Sequence, residues 1–288
     1  MSASWACTDV VLMQNQRGPW VDRSMPVTSN AAQLGIADRF DNSHAARLRS
    51  AVMERIHRTA FGTDYAAGTH TNGFYSRSTL QRLFAATNLA PGRTLIDLGC
   101  GHGGPGLWVA TETGASLIGI DISPVGVALA SEQAMRLGLA ERTSFMVGDL
   151  TVTGLPDASC DAALSLDVLI FVPNKAAAAH EFARILKTGG ILGLTSWEQS
   201  GHSERLGAEQ CADYRPLLEA AGLTVEAYEE PPGWQRQQSA LAEGLIAGET
   251  EMSREMEPAV AARFAAMARG GLADMPLRRY IRVIAQKR

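Results

Sequence analysis

Four stretches of the chain differ in the rhythm of their apolar positions. Met1 to about Ala32 mixes Trp, Gly, Pro, Ser and Asn without periodicity and reads as a tail or lid segment that orders against something else. From about Gln33 to Leu89 apolar residues recur at helical spacing, first in Ala45, Leu48, Val52 and Ile56 and again in Leu80, Leu83 and Phe84. Between them GTDYAAGTHTNGFYS is polar and Gly-rich, which predicts a loop outside the core. From Thr94 the rhythm changes to short apolar runs separated by roughly ten to fifteen residues of helical pattern, the mark of strand-helix-strand units and a parallel sheet. The runs are TLIDLG, SLIGIDI, TSFMVGD, CDAALSLDV, GILGLTSW and LTVEAYEE. The helices between them are PGLWVATET, PVGVALASEQAMRLG, NKAAAAHEFARILKTGG and ADYRPLLEAAG, two of which end in a glycine suited to a left-handed terminus, Gly138 and Gly189. Pro231 to Pro276 reads as a helical insertion whose stripe of Met252, Met256, Val260, Phe264 and Met267 belongs to a core, and RRYIRVIAQKR as a last strand. The expected organisation is a tail or lid over 1–32, a helical cap over 33–90 and an α/β core over 91–288 with its insertion at about 231–276.

Composition narrows the classes. At 46% hydrophobic and 19% charged residues over 288, the chain has material for a large core and little charge to oppose collapse. The 26 Lys and Arg against 30 Asp and Glu leave −4, so no basic field is available for a polyanion and nucleic acid is not an expected partner. Cys7, Cys100, Cys160 and Cys211 show no metal or redox spacing, which reads as reduced thiols in a cytosol with no metal site. Asp9, Arg17, Asp22 and Arg23 interrupt the place where a signal peptide needs an apolar stretch, and no apolar run is long enough for a membrane span. A cytoplasmic protein without membrane contact is expected.

The chemistry concentrates between Leu95 and Gly106, where an apolar strand runs into a glycine-dense turn and then a helix, so that several amide N–H groups converge on a ligand. G-x-G-x-x-G fits twice, from Gly99 and from Gly101, and alone points equally to a dinucleotide. Asp97 separates the readings: at the mouth of the loop a carboxylate repels a pyrophosphate and attracts a cation. S-adenosylmethionine, with its sulfonium and α-ammonium and no phosphate, suits it. Asp121 closes the second strand where an acidic side chain accepts from a ribose diol, as NAD would also require. Asp149 ends the third, where a carboxylate can accept from an adenine amino group while Leu150 packs on the ring. The plainer alternative is that Asp121 and Asp149 cap the helices that follow.

With these motifs the chain resembles the class I S-adenosylmethionine-dependent methyltransferases, in the flavour of the small-molecule enzymes of bacterial specialised metabolism. The resemblance rests on DLGCGHGGPG at Asp97 to Gly106, Asp121, Gly148-Asp149, and ALSLDVLIFVPNK followed by RILKTGGILGLTSWE, and covers about Gly62 to the C-terminus. It implies an α/β, Rossmann-like, seven-stranded and mostly parallel sheet of order 3-2-1-4-5-7-6, its last strand antiparallel, with helices on both faces and a helical lid. It also implies S-adenosylmethionine as cofactor, held at its methionine end by Asp97, Gly99 and Gly101, at its ribose by Asp121 and Ile122, at its adenine by Asp149 and Leu150, and from strand four by Ser165 or Leu166. The expected activity is methyl transfer to an O, N or C atom of a small acceptor, in the manner of antibiotic biosynthesis, by a monomer or homodimer. The alternative keeps the cofactor without methyl transfer, as a cyclase or binding scaffold; a nicotinamide-dependent dehydrogenase is disfavoured by Asp97 and Asp149. Relatives that methylate sugar hydroxyls often carry a His pair just after strand four, where this chain has Ile170-Phe171.

In-line transfer needs a base only if the acceptor must lose a proton. Candidates on the loops after strands four and five and on the roof are Asp167, Glu198, His202, His70, Tyr65 and Tyr75. Glu198, beside Trp197, is preferred, with Asp167 expected to face the same cleft and His70 to reach down from the lid; a capping carboxylate and a solvated histidine are the plainer readings. Tyr75, Trp197 and Phe171, with Phe74 and Trp234, would line an aromatic acceptor pocket. His102 is expected to pack near the cofactor, His180 at the surface and Cys100 as buried filler. Arg278, Arg279, Arg282, Lys287 and Arg288 read as a charge run protecting an edge strand.

Overall fold

A computed structural model describes residues 31–70, 73–199 and 211–288. The expected tail lies outside them except for its last two residues, as does His202. Helices α1 (Ala31–Arg49), α2 (Ala51–Phe61) and α3 (Arg77–Phe84) precede strand β1 (Thr94–Leu98). There follow α4 (Gly104–Thr113), β2 (Ser116–Asp121), α5 (Pro124–Arg136), β3 (Thr143–Val147), β4 (Cys160–Leu166), α6 (Lys175–Ile185), β5 (Leu186–Gln199), α7 (Arg215–Ala220) and β6 (Leu223–Glu229). Helices α8 (Trp234–Ala247), α9 (Glu249–Met252) and α10 (Pro258–Asp274) then lead to β7 (Arg278–Lys287). The strands form one sheet in the order β3-β2-β1-β4-β5-β7-β6, with β7 antiparallel to both neighbours. No helix among the described residues is long and apolar enough to cross a membrane.

Strand alternation divides the sheet's side chains between two cores. Ile96, Leu98, Ala163, Leu192 and Leu194 belong to one, with Phe182 of α6 and Tyr214; Leu95, Leu164, Leu166 and Ile191 belong to the other, with Leu80 and Leu83 of α3 and Leu107 of α4. A third cluster joins Val52, Met53 and Ile56 of α2 to Leu241, Leu245, Met252 and Ala261 of the insertion, so that α2 and α8–α10 form one roof.

Several local expectations change in the folded chain. Gly138 does follow the last turn of α5 at φ 69°, but α6 stops at Ile185, before Gly189, because Leu186 turns extended and pairs with Cys160 of β4. The basic run is not on an edge: β7 lies between β5 and β6, and Arg278, Arg279 and Arg282 pair with Asp274, Glu198 and Glu229. Met252 is fully buried, whereas Met267 is 45% exposed and lies outside the expected stripe. Helix α1 buries His44 and Arg47 and the chain then buries Ser50, while Ala45 and Leu48 are only half-buried. The polar, Gly-rich loop is only partly a surface feature, for Tyr65, Ala66, Thr69 and Tyr75 are buried while Gly62, Thr63, Ala67 and Gly68 are exposed.

Candidate active site

After β1 the chain turns through Gly99, Gly101 and Gly103 at φ 81°, 51° and 83°, a left-handed path that side chains rarely follow. Space forbids them too: a Cβ on Gly99 would fall 2.4 Å from Val168 and one on Gly101 2.6 Å from the His44 ring. The N–H groups of Gly99 and Cys100 both donate to the Ile120 carbonyl, at 2.7 and 3.0 Å, which anchors the turn to β2. Gly101 N–H donates to Asp121 Oδ2 at 2.7 Å and Ser123 N–H to Asp121 Oδ1 at 2.8 Å. Asp121 caps no helix; Ser123 does, accepting from Gly126 N–H. A carboxylate has about four acceptor directions, so two backbone donors do not exhaust it for a diol.

Beneath the turn Asp97 is buried on the face of Leu95, and its Oδ2 accepts from Gly106 N–H at 3.0 Å, the first turn of α4. Burial pushes this carboxyl up to about 7, against the pull of the Gly106 N–H, and Asp121 adds to the rise. A Cβ on Gly106 would lie 2.6 Å from Asp97 Oδ2, so only glycine lets the helix start close over the acid. The cavity above is lined by the glycine turn with Asp97, Leu166, His44, Gly73 and Tyr75.

The roof closes this cavity through polar contacts. His44 lies against Gly101, Gly126 and the His102 ring, the last at 5.7 Å, and Asp41 accepts from the Ser123 hydroxyl. Burial holds the His44 imidazole below its ordinary pKa, while Asp121 and Asp41 pull the other way. His102 Nε2 sits 3.3 Å from the Thr69 carbonyl; burial drives its pKa down to about 3, with His44 and Arg47 adding to the fall. It is therefore a neutral packing group beside the turn, as the sequence suggested. The Thr69 carbonyl also lies where a Cβ on Gly104 would sit, 1.9 Å away.

Other predicted residues are scattered. Glu198 does not share a cleft with Asp167: alternation along β5 puts Thr195 and Trp197 on one face and Glu198 on the other, where it is buried against Arg279, Tyr228 and Tyr214. The parity of TSWE carried that signal. His70 engages Glu54 of α2 at 3.4 Å and does not line the cavity, and Tyr65 donates to the same carboxylate. Tyr75 lines the cavity; Trp197 packs instead with Trp234, Tyr280 and Phe74, and Phe171 edge-on against Phe40. On β4, Leu166 faces the cavity, while Ser165 points to the opposite core with a buried hydroxyl that has no partner among the described residues. Asp149 Oδ1 accepts from Thr151 N–H and hydroxyl, a turn that holds the acid just past the end of β3; Leu150, next in the chain, is buried, and Ile122, just past β2, is half-buried. Cys100 is buried and His180 exposed, as expected. Apolar spacing carries no signal for His44, a polar residue on the buried face of α1, or for Thr69 and Gly73, which lie in the loop between α2 and α3.

Comparison with known proteins bears on the domain and the fold. Residues 96–194 match the family model described as a methyltransferase domain. Sterol 24-C-methyltransferase ERG6B of Gibberella zeae is 34% identical over 109 residues, 38% of this chain and 29% of that protein. Methyltransferase GfsG of Streptomyces halstedii is 26% identical over 160 residues, 50% of this chain and 58% of the relative. The match thus spans less than two thirds of the length of either relative. A solved structure described as the (4+2)-cyclase SpnF superposes with a TM-score of 0.69 and 26% identity, over 91% of this chain and 97% of that one.

Proposed function

We propose, for a chain that carries a methyltransferase domain in the class I methyltransferase fold, that it transfers the methyl group of S-adenosylmethionine to an O, N or C atom of a small-molecule acceptor. The observation that carries this reading is Asp97, a buried carboxylate under a glycine turn. A buried acid with one backbone donor is stabilised by a cation and repels a pyrophosphate. The residues present fit the donor: Asp97, Gly99 and Gly101 would hold its methionine end, Asp121 and Ile122 its ribose, and Asp149 and Leu150 its adenine, with Leu166 of β4 rather than Ser165 on the cavity side. Bound there, S-adenosylmethionine supplies an electrophilic methyl on a sulfonium.

The chain's own contribution is alignment and exclusion of water. Tyr75 and Leu166 wall the acceptor side, and His44 and the Thr69 carbonyl seal the roof against the glycine turn. Among the candidate proton acceptors, Glu198, His70 and Tyr65 are engaged elsewhere, Tyr75 lines the cavity, Asp167 follows the lining residue Leu166, and His202 lies outside the described residues. Specialised metabolism is the setting this reading suggests, and the cytosol its compartment, supported by the unpaired thiols of Cys100, Cys160 and Cys211. A second reading, a cyclase that keeps the donor without methyl transfer, is favoured by the likeness to SpnF over nearly the whole chain.

Calorimetric titration with S-adenosylmethionine, S-adenosylhomocysteine and NAD tests the donor site. Binding of both adenosyl ligands, weakened in Asp121→Ala, with none of NAD supports it; NAD binding alone refutes it. S-adenosylhomocysteine formed from S-adenosylmethionine with a panel of acceptors then separates transfer from cyclisation.

A further inference from the structure

Asp167, next in the chain to the cavity-lining Leu166, is held in the left-handed region at φ 62°. Such a conformation persists only where the surroundings over-determine it, and here they do. Its N–H reaches both the Thr195 carbonyl, at 3.0 Å, and the Thr195 hydroxyl, at 3.1 Å. Its side chain is buried, Oδ1 accepting from the Thr195 hydroxyl at 2.9 Å and Oδ2 from the Phe74 N–H at 2.6 Å. The left-handed turn aims the carboxylate away from the strand and at the backbone of Gly73 to Tyr75. Gly73 fits the arrangement, since a Cβ there would lie 2.5 Å from Asp167 Oδ2 and 3.0 Å from the Tyr75 ring. Gly73 and Tyr75 both line the cavity.

We infer that Asp167 is a positioning residue that fastens the backbone at Phe74 to the tips of β4 and β5 and thereby sets Tyr75 in the cavity wall, and that it does not take a proton from the acceptor. Asp167 is not itself among the residues that line the cavity, whereas Gly73 and Tyr75 are, so the group acts through Phe74 and not on a ligand. Burial raises the pKa of this carboxyl, with the Phe74 N–H and the Tyr280 and Thr195 hydroxyls opposing. What the contact needs is an acceptor oxygen at Oδ2, not a titrating acid. The inference rests on the donor-site reading of the cavity for its functional consequence, but the fastening itself does not.

Three variants of the full chain test it: Asp167→Ala, Asp167→Asn and Gly73→Ala. Each is followed by amide hydrogen exchange of residues 73–76 and 94–98 and by titration with S-adenosylhomocysteine. Asp167→Ala removes the acceptor, and Gly73→Ala keeps the acid but drives the backbone off it. Both should lose protection at Phe74 and weaken binding by about tenfold, the scale of one lost hydrogen bond to a charged group, with 94–98 unchanged. Asp167→Asn keeps a carbonyl oxygen for Phe74 and an amide for the Thr195 hydroxyl, and should stay within about threefold of the parent on the same scale. Wild-type protection at Phe74 in Asp167→Ala, or an Asn variant as damaged as the Ala variant, overturns the inference. If Asp167→Ala raises exchange at 94–98 as well, Gly73→Ala decides. Failure of the parent to bind S-adenosylhomocysteine would remove the donor reading, while exchange at Phe74 would still decide the fastening.

Discussion

Ile96 in β1 and Thr69 above it are both fully buried, but they are buried by different forces. Ile96 lies between Ile118 and Ala163 in a parallel ladder, within a core of aliphatic side chains. Thr69 closes its own turn, its hydroxyl donating to the Ala66 carbonyl, and its carbonyl meets His102 and Gly104. The same contrast holds across the two regions. The sheet coheres by contact that has no preferred direction and scales with area. The roof has its own apolar cluster, but directional bonds between residues far apart in the chain join its helices, Ser50 and Val52 to Glu255 and Arg263 to Ser43, and tie it to the core, Phe74 to Asp167 and Ser123 to Asp41. Single hydrogen bonds contribute only about 0.5–1.5 kcal/mol net, so a roof built on them opens in parts while the sheet fails as a whole. A cavity between two such regions has a rigid floor and a ceiling that can yield.

The sharpest way to break the floor is Ile96→Ala. Emptying that site should cost about 2–5 kcal/mol and lower the midpoint of chemical unfolding in one cooperative transition. Gly104→Ala strikes the seam instead: the added methyl would meet the Thr69 carbonyl at 1.9 Å, an overpacking cost of about 1–3 kcal/mol. Proteolysis within residues 62–76 should quicken well beyond the change in global stability, and equal losses of both would contradict the division drawn here. The smallest effect concerns the acid at the meeting point. Because burial lifts Asp97 to about 7 from 3.8, a cationic donor must compete with a proton, and affinity for S-adenosylmethionine should rise roughly tenfold between about pH 6 and 8. Calorimetry across that range reads it, and Asp97→Asn should flatten the slope. In the ligand-free protein the sign reverses: the folded state binds the extra proton, so this group's stabilising contribution is full below 3.8 and is lost as pH rises through about 7.

The strand runs were legible because each is apolar over most of its length and bounded by turn residues. The glycine turn was legible because left-handed backbone and close approach leave few other residues possible. Asp97, Asp121 and Asp149 could be placed at strand tips for the same local reason. Glu198 was misplaced although its parity was available: a tip residue faces the cavity only if it falls on the right side of the pleat, and Trp197 took that side. The roof hid its chemistry differently. His44, Arg47 and Ser50 recur at spacing three on a buried face, but burial of polar side chains depends on partners such as Tyr65 and Glu255 that no local window contains.

What the sequence determined by itself was the order of the elements and the chemistry at the ends of the first three strands. Both follow from short-range causes: alternation, helical period, glycine conformational freedom and the sign of a charge. Only the tertiary structure decided which side each tip residue faces and that a Gly-rich polar loop is drawn under the roof. Those outcomes depend on hydrogen bonds and packing between residues as many as 220 positions apart, whose geometry exists only once the sheet has brought them together.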